Sequence, residues 1–520
     1  MRYGFVIDQN RCIGCHACTV ACKEEHNVAV GVFRTWVKYV ERGTFPQVQR
    51  HFGVMRCNHC DLAPCVEICP TSALYRRTDG IVDFDNRRCI GCKSCMQACP
   101  YDALYLDPNT NTAAKCNFCV HRIESHMEPA CVIVCPVQAI IAGDLDDHAS
   151  RISRIVATEK VAARKPHKGT SPKLFYVGID GALLQPAAVR SEGGGFAVEP
   201  HDEGVKVAIE PGNAHTDPCS RKTGAGAPLD LGREAYNVAH PMPWGWQVAA
   251  YLWTKSIGAG VSIVIVLLAA LGRLAPGGFR NIVAPAIALA FTGLTGLLLI
   301  GDLKRPDRFY FLFTKPNPRS WLVRGSYIIV AYSGIVTLWL AAGVLLDVSP
   351  GPLLLACGAL GVAAAGYTAF LFAQAKGRDI WQSPLLLWHL LSQASLGGSA
   401  ILIVAGVLGA IPAAAIRELD QVLLAAIVLV GAMTAGEIWT THESEEARLA
   451  WETLTHGAMS ARFWLGFVAA GVVLPVVLLA LALSGGQFPE LSVAAAIVAL
   501  FGLLLYEDLW RQAGQAVPLS

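Results

Sequence analysis

Four groups of four cysteines carry the chemistry of this chain. They are Cys12, Cys15, Cys18 and Cys22; Cys57, Cys60, Cys65 and Cys69; Cys89, Cys92, Cys95 and Cys99; and Cys116, Cys119, Cys131 and Cys135. The first and third groups follow C-x2-C-x2-C-x3-C, and the other two widen one gap. Pro70, Pro100 and Pro136 follow the last cysteine of three groups. Short turns let three successive thiolates converge on one face of an iron-sulfur cube, and the fourth corner comes from elsewhere, as when the last cysteine of one group reaches a neighbouring cluster. Four groups therefore predict four [4Fe-4S] clusters in two pairs. Zinc ribbons also use C-x2-C pairs, but without a third cysteine two or four residues on and a fourth followed by proline. Disulfides suit small secreted chains in oxidising compartments. This chain has 520 residues, and its start, MRYGFVIDQNRC, lacks the basic and apolar regions of an export signal and has no twin arginine.

Such groups need a scaffold of tight turns and short strands. Arg2–Asp8, Ala73–Tyr75, Gly80–Asp85 and Ala103–Leu106 are short apolar or alternating runs beside the motifs, the pattern of small hairpins. A domain with so little ordinary core needs its clusters in order to fold. Further on, Arg151–Lys168 is basic and helix-compatible, and Lys173–Ile179 reads as an apolar strand. Ser191–Pro228 is rich in Gly, Pro, Ser and Glu, the composition of an irregular linker or surface strap. Cys219 has no motif around it and reads as an incidental thiol.

The chain is 53% hydrophobic and only 16% charged, with a net charge of +2, which argues against a nucleic-acid or strongly acidic partner. The apolar excess lies after residue 244. Eight segments there, near 245–272, 281–301, 325–346, 352–374, 384–410, 417–440, 462–484 and 490–506, approach the ~20 residues that span a bilayer. Eight crossings leave both ends of the bundle on one side. That side carries Lys304, Arg305, Arg308, Lys315, Arg319, Arg324, Lys376, Arg378, Arg448, Arg462 and Arg511, and the other carries Arg273, Arg280 and Arg417. The positive-inside rule then puts the cysteine-rich domain on the cytoplasmic side of a bacterial-type inner membrane.

Residues 1 to about 185 resemble the four-cluster electron-transfer subunits of complex iron-sulfur molybdoenzymes of the dimethyl sulfoxide reductase and polysulfide reductase type. The resemblance rests on RCIGCHACTVAC, RCNHCDLAPCVEICP, RCIGCKSCMQACP and AKCNFC followed by ACVIVCP. From about residue 235, WGWQVAAYLWTKSIGAG, GDLKRPDRFYFLF and the run from Tyr367 to Ala400 resemble the eight-helix NrfD-like membrane anchor. The implied fold is an α+β ferredoxin-like four-cluster domain (1–185), an irregular strap (186–240) and an all-α transmembrane bundle (241–520). The two units are often separate chains in that family, and here they are fused. The resemblance implies the ligand sets Cys12, Cys15, Cys18 with Cys135; Cys116, Cys119, Cys131 with Cys22; Cys57, Cys60, Cys65 with Cys99; and Cys89, Cys92, Cys95 with Cys69.

A cluster relay beside a helical bundle calls for a lipid-soluble partner, menaquinone or ubiquinone, in an apolar cleft with an aromatic wall and a few polar groups. Ionisable residues within spans are costly and are the first candidates. Gln247, Tyr251 and Lys255 are spaced by four on the first span and share a face, with His240 just before them. Asp302 in GDLKRP is a proton-transfer candidate or an interfacial partner of Lys304 or Arg305. His389 and Glu437 are further candidates. Tyr367, Trp381 and Trp388 read as packing or belt residues and Cys357 as packed, and no pair of mid-membrane histidines points to haem. The implied function is quinone-linked electron transfer for a separate molybdopterin or tungstopterin catalytic subunit, with a higher oligomer of the complex left open. The alternatives are a redox-driven ion-translocating module and a pure anchor.

Overall fold

The computed structural model describes residues 1–43, 45–189, 232–406, 413–442, 444–484 and 489–520. The proposed strap Ser191–Pro228 and Cys219 lie outside them.

Strand β1 (Tyr3–Asp8) is the centre of the cysteine-rich domain. Its apolar run buries Phe5, Val6 and Ile7 on both faces. With β8 (Ile140–Asp144), β9 (Val161–Ala162) and β10 (Leu174–Val177) it forms a sheet of order β8-β1-β10-β9, antiparallel to β8 and parallel to β10. The hairpins β4–β5 (Leu74–Arg76, Val82–Phe84) and β6–β7 (Leu104–Asp107, Thr112–Lys115) fall beside the motifs. The cysteines themselves form much of the core around Phe5, Ile7, Phe118 and Tyr176.

Three features depart from the sequence reading. First, the helix from Arg151 ends at Thr158. Ser150 caps its start, but the chain then pairs with β10 at Val161–Ala162 and turns at Pro166, whose missing N–H cannot continue a helix. Second, Thr35–Arg42 and Gln49–Arg56 form an antiparallel hairpin, β2–β3, and β11 (Arg233–Tyr236) adds to the free edge of β2. The end of the expected strap is thus a strand of this domain, held where Lys38 Nζ meets Glu234 Oε2 at 2.6 Å and Tyr236 packs on Tyr39 and His16. Third, an unforeseen amphipathic helix, Glu445–Thr455, is capped by Ser444 between the sixth and seventh spans.

Among the described residues, eight helices long and apolar enough to cross a membrane follow: Trp246–Ala270, Phe279–Gly301, Trp321–Leu346, Gly351–Gln374, Leu386–Ala405, Ala415–Trp439, Arg462–Ser484 and Pro489–Ala516. The first is the most buried and packs against the second, fourth, fifth and eighth. Gly260 and Gly398 let the first and fifth helices meet backbone to backbone: a Cβ at Gly260 would overlap the Ala394 carbonyl. The eighth helix continues ten residues past its expected end at 506, and that extension reaches the cysteine-rich domain. There Gln97 Nε2 donates to Gln515 Oε1 at 2.6 Å and Arg511 Nη1 to the Trp244 carbonyl at 2.6 Å.

Candidate metal centres and membrane cavity

The two CIGC turns fold alike. Gly14 and Gly91 have φ of 70° and 69°, a left-handed conformation that glycine adopts without strain. His16 and Lys93 follow the second cysteine of their turns at φ of 58° and 61°. This repeat turns each run of cysteines inward.

Cys69 joins Cys89, Cys92 and Cys95 around about 390 Å³ of space not filled by protein atoms. Cys99 joins Cys57, Cys60 and Cys65 around about 310 Å³. Cys12 lies within electrostatic range of Cys15, Cys135 and Cys18. Cys22 stands in the same relation to Cys116, Cys119 and Cys131. Between sets, Cys18 approaches Cys131, Cys116 approaches Cys57, and Cys65 approaches Cys95. The sets therefore line up, from the Cys12 set through the Cys22 and Cys57 sets to the Cys69 set.

The donor chemistry fits iron-sulfur cubes. Each of the two cavities presents four sulfurs and mostly apolar walls. Backbone N–H groups point at sulfur: His59 to Cys57 at 3.4 Å, Leu74 to Cys69 at 3.5 Å, Gly91 to Cys89 at 3.4 Å and Ala139 to Cys135 at 3.2 Å. Burial, with the neighbouring Cys69, pushes the Cys92 thiol up to about 12. Grouped thiolates at such depth need compensating positive charge, which iron supplies.

At one end of the line Cys15 is exposed. At the other end the Cys69 set rests on the bundle: Asn317 Nδ2 donates to the Cys69 carbonyl at 2.8 Å, Arg308 Nη1 to the Cys89 carbonyl at 3.1 Å, and Trp244 Nε1 to the Cys92 carbonyl at 3.2 Å. Asp302 pairs with Lys93 Nζ at 2.8 Å rather than with Lys304 or Arg305, because the GDLKRP loop lies directly on the CIGC turn, with Lys304 N donating to the Gly91 carbonyl at 3.3 Å. Burial raises the Asp302 carboxyl, and Lys93 opposes it. Arg378 and Arg511, expected as loop charges, are buried in this contact. Beside it, Lys165 and Lys168 face Glu446 and Asp379, with Lys165 Nζ and Glu446 Oε1 at 2.6 Å. Burial works to raise the Glu446 carboxyl, but the two lysines outweigh it and hold the group down to about 2.

Within the bundle the candidates separate. His240 leaves the group: its Nδ1 meets Asp102 at 2.5 Å and its Nε2 the Ser520 hydroxyl at 3.2 Å. Gln247 is half-buried. Tyr251 and Lys255 are buried, and Lys255 Nζ donates to Thr368 Oγ1 at 2.6 Å and to the Ala365 carbonyl at 3.0 Å, above the Tyr367 ring. Within electrostatic range of Lys255 lies Glu507, which the sequence reading missed by ending the last span at 506. Glu507 lines a small cavity with His389, Glu437, Gln393, Tyr506 and Trp510. His389 Nε2 stands 3.3 Å from Glu437, and Ser383 donates to the same carboxylate. Trp510 connects the cavity to the thiol line: Trp244 stacks on Trp381 at 5.3 Å between centroids, and Trp381 lies 5.8 Å from Trp510. Trp381 is a packed link in this column, while Trp388 is exposed on the bundle surface. The missed signal was helical spacing, since Tyr506, Glu507 and Trp510 sit at i, i+1 and i+4.

Comparison with known proteins agrees with both halves. A 4Fe-4S binding domain matches residues 3–24 and a 4Fe-4S dicluster domain residues 48–145. The B subunit of the tetrathionate reductase of Salmonella typhimurium is 46% identical over 195 residues, 37% of this chain and 78% of that protein. The B polypeptide of the polysulfide reductase of Wolinella succinogenes is 41% identical over 179 residues, 34% of this chain and 94% of that protein. Arsenate respiratory reductase iron-sulfur subunit ArrB of Shewanella sp. ANA-3 is 35% identical over 225 residues, 34% of this chain and 96% of that protein. The family described as polysulphide reductase, NrfD, matches residues 235–515. The chain therefore belongs to the NrfD family of multi-pass membrane proteins and carries, fused ahead of that domain, an iron-sulfur subunit of the polysulfide and dimethyl sulfoxide reductase type.

Proposed function

We propose that this chain carries electrons between a separate molybdopterin or tungstopterin catalytic subunit and the membrane quinone pool. The observation that supports it best is the continuity of the line, from exposed Cys15 through four thiol sets to the Cys92 carbonyl and along Trp244, Trp381 and Trp510 to the His389–Glu437–Glu507 cavity. In this reading the sixteen cysteines hold four [4Fe-4S] clusters in the sets described, each supplying one-electron chemistry when bound. The chain holds them in line and buries every cysteine of the two middle sets.

At the inner end, Glu437 and Glu507 supply carboxyl groups and His389 an imidazole beside an aromatic wall, a suitable lining for a quinone headgroup. Quinone reduction takes up two protons with two electrons, and these three groups are placed to deliver them. Lys255 provides the compensating charge behind Glu507. At the outer end, exposed Ile13, Val20 and Ile133 border the Cys12 set and offer an apolar rim to the catalytic subunit. The excess of basic residues at the bundle face that carries this domain supports a cytoplasmic placement.

The first experiment is gentle extraction from native membranes, identification of every co-purifying chain, and quantification of iron, molybdenum and tungsten. The reading expects a large partner with stoichiometric molybdenum or tungsten and about sixteen irons per chain. Iron without either metal would defeat the molybdoenzyme assignment.

A further inference from the structure

Two buried cations lie beside the second thiol set and have no carboxylate partner among the described residues. Arg56, at the end of β3, is 1% exposed. Its Nη1 donates to Cys131 Sγ at 3.2 Å, while its buried Nε and Nη2 find no acceptor. Phe5 packs against the guanidinium at 4.6 Å. Cys18 of the first set and Cys22, Cys116 and Cys131 of the second all lie within its electrostatic range. Lys115 is fully buried, donates to the Val82 and Cys116 carbonyls, and lies within range of Cys116 and of Cys65 in the third set. His26 adds a third contact, with Nε2 3.2 Å from Cys119 Sγ. Glu25, an acid in range of this set, is already paired with His121 and Arg122 at 2.6 and 3.1 Å.

The other sets lack this arrangement. The first shares Arg56 only through Cys18, and the third shares Lys115 through Cys65. In the third set Asp102, paired with His240, lies in range of Cys99 and of Arg378, and no cation among the described residues donates to a sulfur there as Arg56 does to Cys131. In the fourth set Lys93 is neutralised by Asp302. Reduction adds one negative charge to a cluster, so nearby uncompensated positive charge and N–H donors to sulfur favour the reduced form, the more so in a low-dielectric interior.

We infer that Arg56 and Lys115 make the cluster held by Cys22, Cys116, Cys119 and Cys131 the most easily reduced of the four, so that it is the electron-holding station of the relay, one step inside its exposed end. The unsatisfied Nε and Nη2 of Arg56 are the donors available to the sulfides of that cluster. This rests on the reading that the four sets hold four clusters.

The test is an EPR-monitored potentiometric titration of the full chain in its native complex, with the signal of this set identified by its loss or change in Cys119→Ser. In the parent protein that signal appears first on reduction. Arg56→Gln lowers the ratio of reduced to oxidised cluster at fixed potential at least tenfold, about 59 mV for a one-electron couple, with smaller changes elsewhere. Arg56→Lys keeps the charge and changes the ratio less than threefold. Another signal appearing first in the parent, or an Arg56→Gln protein with all four midpoints unchanged, overturns the inference. Should Arg56→Gln fail to assemble, the parent order alone still decides. Iron well short of about sixteen per chain would overturn the four-cluster reading, and this inference with it; full iron with a different order would overturn this inference alone.

Discussion

Lys255 and Glu507 are 4% and 2% exposed in the middle of an apolar bundle, each within electrostatic range of the other. They form no direct ion pair, since Lys255 Nζ bonds Thr368 and the Ala365 carbonyl, but each offsets part of the other's charge, and a buried charge left uncompensated is costly. Lys255→Met and Glu507→Gln should each lower the melting temperature of the detergent-solubilised protein. The double variant Lys255→Met/Glu507→Gln should recover most of it. If these residues served packing alone, quinol-dependent cluster reduction would recover too. If the Glu507 cavity is the proposed quinone site, that reduction should stay at least tenfold slower in stopped-flow measurements, a barrier increase of about 1.4 kcal/mol or more. A Trp510 substitution offers an independent check. Trp510→Leu keeps the cavity apolar but opens the Trp244–Trp381–Trp510 column, so it should slow the same step without altering cluster potentials. Lys255 was legible in the sequence because a lysine eleven residues into an apolar span is conspicuous. Glu507 was not, because the run Glu507, Asp508, Arg511 looks like the polar end of a span, and only its contact with the cysteine-rich domain lets the helix continue.

Between elements, the space beside a helical glycine makes opposite predictions for two positions, one in the close crossing of the first and fifth spans and one outside it. A Cβ at Gly260 would overlap the backbone of the fifth span, so Gly260→Ala should cost about 1–3 kcal/mol or more by overpacking. Gly293, in the second span, has no atom within 4 Å of the same added carbon, so Gly293→Ala should be neutral or stabilising by up to about 1 kcal/mol through helix propensity. Thermal unfolding of the two variants side by side distinguishes packing from propensity. The ion cluster of Lys165, Lys168, Glu446 and Asp379 acts at the same scale. Glu446→Gln strands Lys165, 5% exposed, without its main counter-charge, and should loosen the docked domain, seen as faster proteolysis between the two halves. The spans and the motif hairpins could be read from apolar length and alternation, which are local properties. The β2–β3 hairpin, the β11 edge and the Glu445–Thr455 helix could not. Thr35–Arg42 and Arg233–Tyr236 alternate too weakly to declare themselves, and Glu234, opposite Val40 in the ladder, is held by buried Lys38, nearly two hundred positions earlier.

Across the whole molecule, one continuous face joins the two halves. The loops expected to carry the positive-inside charge are also those that grip the fourth thiol set: Arg308 reaches the Cys89 carbonyl, Arg378 reaches Gln97, and Arg511 reaches Trp244. Part of the charge asymmetry therefore serves docking, which tells nothing about sidedness by itself. Lys315 and Arg319 before the third span, Arg324 in its first turn, Lys376 and Arg462 remain to bias insertion, against Arg273, Arg280 and Arg417 at the far end. Fusion adds a constraint of its own, since the cysteine-rich domain must lie on whichever side the first span begins. A maleimide gel-shift comparison with the parent chain tests the outcome. His148→Cys, on an exposed loop of the cysteine-rich domain, should react in inside-out vesicles and be silent in right-side-out ones, while Ala275→Cys, in the loop after the first span, should behave in the opposite way. The reverse pattern would put the iron-sulfur domain outside and require export of a chain with a folded cofactor domain. It would also mean that the residual loop charges do not set orientation here, and that the catalytic subunit and its substrate are to be sought on the outer side.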